Sequence, residues 1–587
     1  MADSSTKGAD GPISVTVKVA GSAISDEYQI YRVQVDAGVG RIPEAQLVLM
    51  TGSVAENEFP ASDGTDFEIG KEISFAAAYG SGSDQELFTG VIVSVRLRVS
   101  RGAPRLEVNC IDKAAKLTHT RKSAQYLSKK DSDVMSQIIS DAGLTADVTA
   151  TTDTARDIVR VGCTDWGYLR SIADRSGHVL TISDGTVTSA PPDTSGSAVL
   201  TITLGVDMIS FDARVDAQTS LGGAEARAWD STAQEPVSET GTTPAMGSWG
   251  TYKPGDLAEV LGDREHMLAT AREIPSADLK IVADARTMRT GLATIQGSCV
   301  FQGSGKAVPG VVIEISGMGD RFGGNAYIGG VRQLIEDGTW TTEALLGLPD
   351  NWNVDSDFFA GESAAGLAAP IHGLQVGKVV KLDEDPDSKM RIKVSLPMVA
   401  DPAPEVWARY AQPYASSEAG IQFMPEIDDE VLVAFLNADP DAPVVVGSLH
   451  NATAPQAATA TADNFIKGIV TREAMKLQFD EEKKIITLET PGGHKMTLDD
   501  DAKTVTLEDL TGNKLELAES GITMSSPGDI SLTADGAVNI TATGDASVSG
   551  MNVNAEAQTG LTVKGSATAE ISSGGQTTVK GSMVMIN

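Results

Sequence analysis

Residues 522–540 read ITMSSPGDISLTADGAVNI, and the spacing inside them decides the fold. Ile522, Ile530 and Val538 stand eight apart, Met524, Leu532 and Ile540 follow them by two places, and Gly528, Gly536 and Gly544 repeat at the same interval. Side chains two apart on an extended chain share a face, and glycine accepts the dihedrals of a sharp corner. Each octad therefore predicts one short strand and one corner. The phase slips by one after Ala546 and Val548, then resumes as Val553, Leu561, Ala569 and Thr577, with Ala555, Val563, Ile571 and Val579 two places on.

An octad offers two small apolar side chains, worth about 1.5–3 kcal/mol each when buried, against a backbone-ordering cost of roughly 1–2 kcal/mol for each of its residues. One copy cannot stand alone. The pattern predicts several chains wound about a shared axis into a prism, which leaves no lateral strand edge open. Its core would be Ile522, Ile530, Val538, Val553, Leu561, Val563, Ile571 and Val579. A single-chain β-solenoid and a flexible Ser/Thr/Gly tail are the alternatives, and the regular apolar pairs count against the tail.

Upstream the same pairing is wider. Leu477/Phe479, Ile486/Leu488, Met496/Leu498, Val505/Leu507 and Leu515/Leu517 recur every nine or ten residues between acidic or Gly-rich corners. Larger residues at the base and smaller ones further on predict a tapering needle over 476–587, on the order of 60 Å long if about a dozen strands step 4.8 Å each. Residues 371–450 carry five strand-like runs, HGLQVGKVVKL, MRIKVSLPM, VWARYAQPY, GIQFMPEIDDEVLVAFL and PVVVGSLHN, which fit a small barrel of the oligonucleotide/oligosaccharide-binding (OB) type. Ala/Thr-rich 451–475 and aperiodic 351–370 read as linkers.

The first 350 residues begin with strands ISVTVKV, YQIYRVQV, AQLVLM, EISFAAAY and LFTGVIVSVRLRV. Helices are predicted at 131–142, capped by Asp131 or Ser132, and at 165–176, ending on Gly177. A helical stretch is expected from LAEVLGDREHMLATAREI through ADARTMRTGLATI.

With 587 residues the chain has room for three or four domains. Lys plus Arg number 46 and Asp plus Glu 80, a net charge of −34, which argues against nucleic-acid or anionic-lipid partners. Cys110, Cys163 and Cys299 lie far apart, so neither a zinc site nor a disulfide framework is indicated. The polar start MADSSTKGADGP lacks a signal-peptide core, so assembly in the bacterial cytoplasm is expected.

Several segments together resemble the VgrG, or late-control, family of contractile-injection spikes. They are Leu87-Phe88-Thr89-Gly90-Val91, Cys110-Ile111-Asp112-Lys113 leading to Leu117, Asp165-Trp166-Gly167-Tyr168-Leu169, Trp229-Asp230 and PGVVIEISGMGDRFGGNAYIGGV at 309–331. The resemblance is densest in the barrel, at Trp407, at Pro425 and Glu426, at Asp429 and Glu430 opening DEVLVAF, and at Gly447 in PVVVGSL. It implies a mainly β homotrimer. Residues 1–350 would form a tube-docking platform of two β-barrels with an α/β insert, 371–450 an OB-fold neck, and 476–587 a trimeric intertwined β-helix (β-prism) needle. Implied partners are a hexameric inner-tube protein and baseplate proteins at the platform, with transient contact with a target membrane. An effector-carrying type VI spike and a trimeric adhesin or tail fibre are the rival readings.

Catalytic and metal chemistry is not expected. The six histidines form no HExxH or His-x-His pair, GSGK at 303–306 lacks the rest of a phosphate loop, and no cofactor motif occurs. Some spikes of the family end in a His-x-His that binds iron, whereas this chain ends Met583-Val584-Met585-Ile586-Asn587. That departure predicts a separate PAAR-type tip protein docked on these five residues, or a trimer core that they complete.

Overall fold

The computed structural model describes residues 3–7, 10–100, 103–218, 220, 222–242, 247, 249–262, 265–355, 363–366 and 368–586. They fall into two compact units, Met1–Leu449 and His450–Asn587.

Period-two alternation builds the first lobe of the first unit. Strands Ile13–Val19, Gln29–Gly38, Glu44–Met50, Glu72–Tyr79, Gln85–Ser100 and Ala103–Ile111 turn one face inward. Val33, Leu47, Leu49, Ile73, Phe75, Phe88, Ile92, Leu106 and Val108 form its core. A second lobe, from Leu200–Thr203, Met208–Val215, Ile295–Gln302, Val312–Ser316 and Thr339–Leu346, closes over Ile202, Cys299, Phe301, Ile313, Ile315, Ile328 and Leu346.

The two expected barrels are lobes of one fourteen-stranded sheet, because strand Gly324–Glu336 serves both. Its first residues pair with Val312–Ile315, its last with Arg32–Gly38, and its other edge with Thr339–Leu346. The strand shifts register between Ile328 and Gly330. Gly329 is required there, since a Cβ would stand 2.1 Å from the Gly347 carbonyl oxygen. Trp340 crosses from the second lobe into the first core, stacking on Tyr79 with ring centroids 5.1 Å apart.

Between the lobes lies the α/β insert. Helix Asp165–Ser176 ends on Gly177 in the left-handed conformation, as its sequence predicts. Helix Asp131–Asp141 is capped from outside its own sequence: the Asp131 N–H donates to the Asp153 carboxylate (3.1 Å) and the Ser132 N–H to Thr151 Oγ1 (3.0 Å). Asp131 is unavailable as a cap because its carboxylate accepts from Arg175 (2.6 and 2.8 Å) and Arg156 (2.7 Å). The helical expectation over 257–274 is corrected. Among the described residues only Pro254–Glu259 is helical there; Glu265–Thr270 is a strand parallel to Gly223–Asp230, and a helix resumes at Ser276–Ala293. The strand wins because it sets Leu268 against Ala226, Ala228, Leu279 and Ala283. Part of the expected linker 351–370 lies outside the described residues. Its start is a buried strap, with the Asn353 N–H donating to Asp174 Oδ2 (2.6 Å) and its Nδ2 to the Gly167 carbonyl (3.0 Å).

Strands Gln375–Lys381, Arg391–Ser395, Glu405–Tyr410, Glu430–Phe435 and Pro443–Ser448 form a closed five-stranded barrel, with the third and fifth strands parallel. In the second unit, Ile466–Val470, Lys476–Asp480, Ile485–Glu489, Lys495–Asp499, Thr504–Glu508, Lys514–Ala518 and Gly521–Ser525 make an antiparallel meander. It begins inside the stretch 451–475 read as a linker: Lys467 and Gly468 interrupt the apolar alternation that marks the later strands.

Candidate assembly surface of the needle

The meander has an apolar face and a polar one. Its strands KLQFD, IITLE, KMTLD, TVTLE, KLELA and GITMS alternate in phase, so the register stacks like on like. Leu477 faces Leu488, Phe479 faces Ile486, Ile486 faces Leu498, and Leu488 faces Met496. The row continues through Met496–Leu507, Leu498–Val505, Val505–Leu517, Leu507–Leu515, Leu515–Met524 and Leu517–Ile522. The opposite face carries Thr487, Thr497, Thr506, Glu516 and Thr523 in one row, with Lys476–Glu489 (3.4 Å) and Lys514–Glu516 (2.6 Å) ion pairs. Cross-strand pairs of this kind stabilise a sheet by a few tenths of a kcal/mol each.

No described residue covers the apolar face. Among the described residues, no hydrophobic side chain after Val445 is buried. Beyond Ser525 the pairing stops as well: residues 526–586 contain no strand and, among those described, no backbone-to-backbone hydrogen bond. Only the N–H groups of Gly528 and Gly575 are held, each by a nearby serine hydroxyl. The eight residues expected to form a core, Ile522, Ile530, Val538, Val553, Leu561, Val563, Ile571 and Val579, are all exposed in the single chain, from 54% at Ile530 to 84% at Ile571. A core of these side chains therefore requires other chains. Met583, Val584, Met585 and Ile586 at the tip are exposed too, and Asn587 lies outside the described residues.

In the five-stranded barrel, Pro425 is buried, while Glu426, Asp429, Glu430 and Gly447 are half-buried. Asp429 closes a turn by accepting from the Glu426 N–H at 2.8 Å. Trp407, singled out with them, is half-buried on the outer side of its strand. The core is Val379, Ile392, Val394, Leu396, Ala408, Val431, Val433, Phe435 and Val445. Strand alternation carries the reason, since Ala408 faces inward and its neighbour cannot.

Sequence reading missed the ionic knot of the α/β insert. Asp131 binds Arg156 and Arg175, Asp153 binds Arg156 (2.7 Å), and buried Arg160 sits against Asp165 and over the Tyr168 ring. These partners lie up to forty-four residues apart, so no local spacing announces them. Burial raises the Asp131 carboxyl, but the Arg175 and Arg156 guanidiniums outweigh it and hold the group below its ordinary value. Burial likewise pushes the Cys110 and Cys299 thiols up to about 12, far from the thiolate form that a nucleophile needs. Among the described residues no group of three or more His, Cys, Asp or Glu is placed to hold a metal ion.

Comparison with known proteins follows these divisions. A model described as the Alg8 N-terminal domain matches residues 9–337. The type VI secretion system/phage-baseplate injector OB domain matches 375–450, and the phage baseplate V C-terminal trimerisation domain matches 485–549. The type VI secretion system spike protein VgrG3 of Vibrio cholerae is 37% identical over 71 residues, 11% of this chain and 7% of that protein. A tail protein of Neisseria meningitidis is 16% identical and overlays 59% of this chain and 99% of its own, with a TM-score of 0.43. A component of the Escherichia coli type VI secretion system is 13% identical over 74% of this chain and 99% of its own, with a TM-score of 0.37.

Proposed function

The chain belongs to the family of the Alg8 N-terminal domain and is a VgrG-like spike protein of the phage-baseplate and type VI secretion kind, and from that premise we propose that it works as a homotrimer, the central spike of a contractile injection machine. The observation that carries the reading is the needle, whose phased apolar face and distal octads have no partner among the described residues of one chain. Three copies about an axis would turn three apolar faces inward and give the distal backbone the neighbours it lacks. The match of the trimerisation domain to 485–549 falls on this region.

The role is mechanical and not enzymatic. The platform caps the inner tube and nucleates the tube and baseplate upon it; two sheet lobes per chain present six similar units to a hexameric tube. When the sheath contracts, the needle is driven through the target envelope. Interwound strands must break many hydrogen bonds together before they buckle, so stiffness comes from shared backbone pairing. The exposed tip Met583–Ile586 takes a PAAR-type cone. The family's structural character supports a spike over an enzyme.

Light scattering on the intact chain tests the reading, beside a version truncated after Asn451. A mass three times the 61.1 kDa of one chain, lost on truncation, is expected. A protease-resistant monomer would sink it.

A further inference from the structure

The ionic knot of the α/β insert walls a cavity of about 350 Å³ where the insert meets the start of helix Ser276–Ala293. That size lies within the range of roughly 300–1,000 Å³ that small organic ligands occupy. Most of the charges around it are already matched: Asp131 holds Arg156 and Arg175, and Asp153 holds Arg156. Three groups on its wall are not. The Arg272 side chain has no hydrogen bond or ion pair among the described residues; only its backbone N–H is held, by Thr270 Oγ1 at 3.2 Å. Asp278 accepts from the Thr154 N–H (2.9 Å) and hydroxyl (3.1 Å) through Oδ1 alone, which leaves Oδ2 open. His178 is 5% exposed, with Nδ1 against the Ser189 hydroxyl (3.1 Å) and Nε2 without a partner among the described residues.

The unmatched charges are one cation and one anion on the same wall, yet among the described residues no ion pair joins Arg272 to Asp278. Partial burial and the like charges of Arg156 and Arg175 push the Arg272 guanidinium below its ordinary value, so a carboxylate brought beside it is favoured. The open oxygen of Asp278 is an acceptor for an ammonium group. Burial lowers His178 against the pull of Asp131 and Asp153, so its free nitrogen offers a hydrogen bond without a charge. Ile274, Ile281 and Val282 supply apolar wall. A simple anion entering here would meet three carboxylates and a simple cation three guanidiniums. A molecule that carries both charges on a small apolar body answers every open group at once.

We propose that this cavity binds a small zwitterion, an amino acid or dipeptide with an apolar side chain, its carboxylate on Arg272 and its ammonium group on Asp278. The test is titration calorimetry at pH 7 on the full-length chain with L-leucine and alanyl-leucine, beside leucinamide, which lacks the carboxylate, and N-acetylleucine, which lacks the ammonium. At least one of the two zwitterions is expected to saturate one site per chain, and each blocked form to bind roughly tenfold or more weakly. Arg272→Gln is expected to bring the affinity for the zwitterion down to that for leucinamide while leaving leucinamide unchanged. Asp278→Asn should do the same with respect to N-acetylleucine. Both variants are expected to keep the wild-type thermal midpoint without ligand, since Arg272 is exposed and asparagine can still accept from Thr154. The proposal is overturned if neither zwitterion saturates a site, if the blocked forms bind as well as the parent compounds, or if the two variants bind the zwitterion as the wild type does.

Discussion

Truncating Leu561 separates a needle that is a shared core from one that is a solvated tail. Leu561 is 64% exposed in the single chain, so in a monomer Leu561→Ala belongs with surface substitutions, within about 0.5 kcal/mol. In a trimer the same side chain points at two copies of itself. Removing three carbons from a buried site costs about 2–3 kcal/mol, and symmetry applies the loss three times. The total is about 6–9 kcal/mol of assembly free energy, or roughly four to six powers of ten in the trimerisation constant. The assay is guanidinium denaturation at several protein concentrations with trimer mass as the readout, beside Thr523→Ala on the polar face of the meander as a control. A trimeric needle predicts a large, concentration-dependent fall in the midpoint for Leu561→Ala and little change for the control. If the Leu561 variant shifts the constant by less than tenfold, the shared-core argument is refuted.

Gly329→Ala would force a methyl group against the Gly347 carbonyl, and a loss of about 1–3 kcal/mol in platform stability, read as a lowered thermal midpoint, is expected. Asp131→Asn leaves Arg156 and Arg175 partly unpaired and should destabilise the platform by about 3–5 kcal/mol in chemical denaturation. Because the Asp131 carboxyl titrates below its ordinary value of 3.8 in the folded state, its contribution is complete above that pH and is lost as pH falls through the folded value. The wild-type chain should therefore lose more stability than the asparagine variant when pH is lowered through this range; parallel acid profiles would contradict the assignment. Cys110 and Cys299, raised to about 12, should resist alkylation at pH 8 until the platform unfolds, and rapid labelling of the native protein would contradict their burial.

The features legible in the sequence are those written at one period. AQLVLM, EISFAAAY and the helix from Asp165 to Gly177 stand where alternation, helical spacing and a terminal glycine put them. The five barrel strands are equally direct. What could not be read was settled by distant partners. Strand Glu265–Thr270 carries a helical-looking composition and is drawn into a sheet by Gly223–Asp230. The cap of Asp131–Asp141 comes from Thr151 and Asp153. Within the candidate site, the octads are legible as a spacing, and all eight residues expected to form a core are exposed in the single chain.

Strand Gly324–Glu336 gives the platform a property that its chain order conceals. Segments three hundred residues apart, Arg32–Gly38 and Gly330–Glu336, are joined rung by rung, so the covalent path between the lobes is not what keeps them together. A protease cut in the peptide between the lobes would leave two fragments still zipped along this strand, whereas loss of the strand would open both lobes at once. The platform should thus behave as a single keystone structure, tolerant of insertions between its lobes and intolerant of any within residues 324–336.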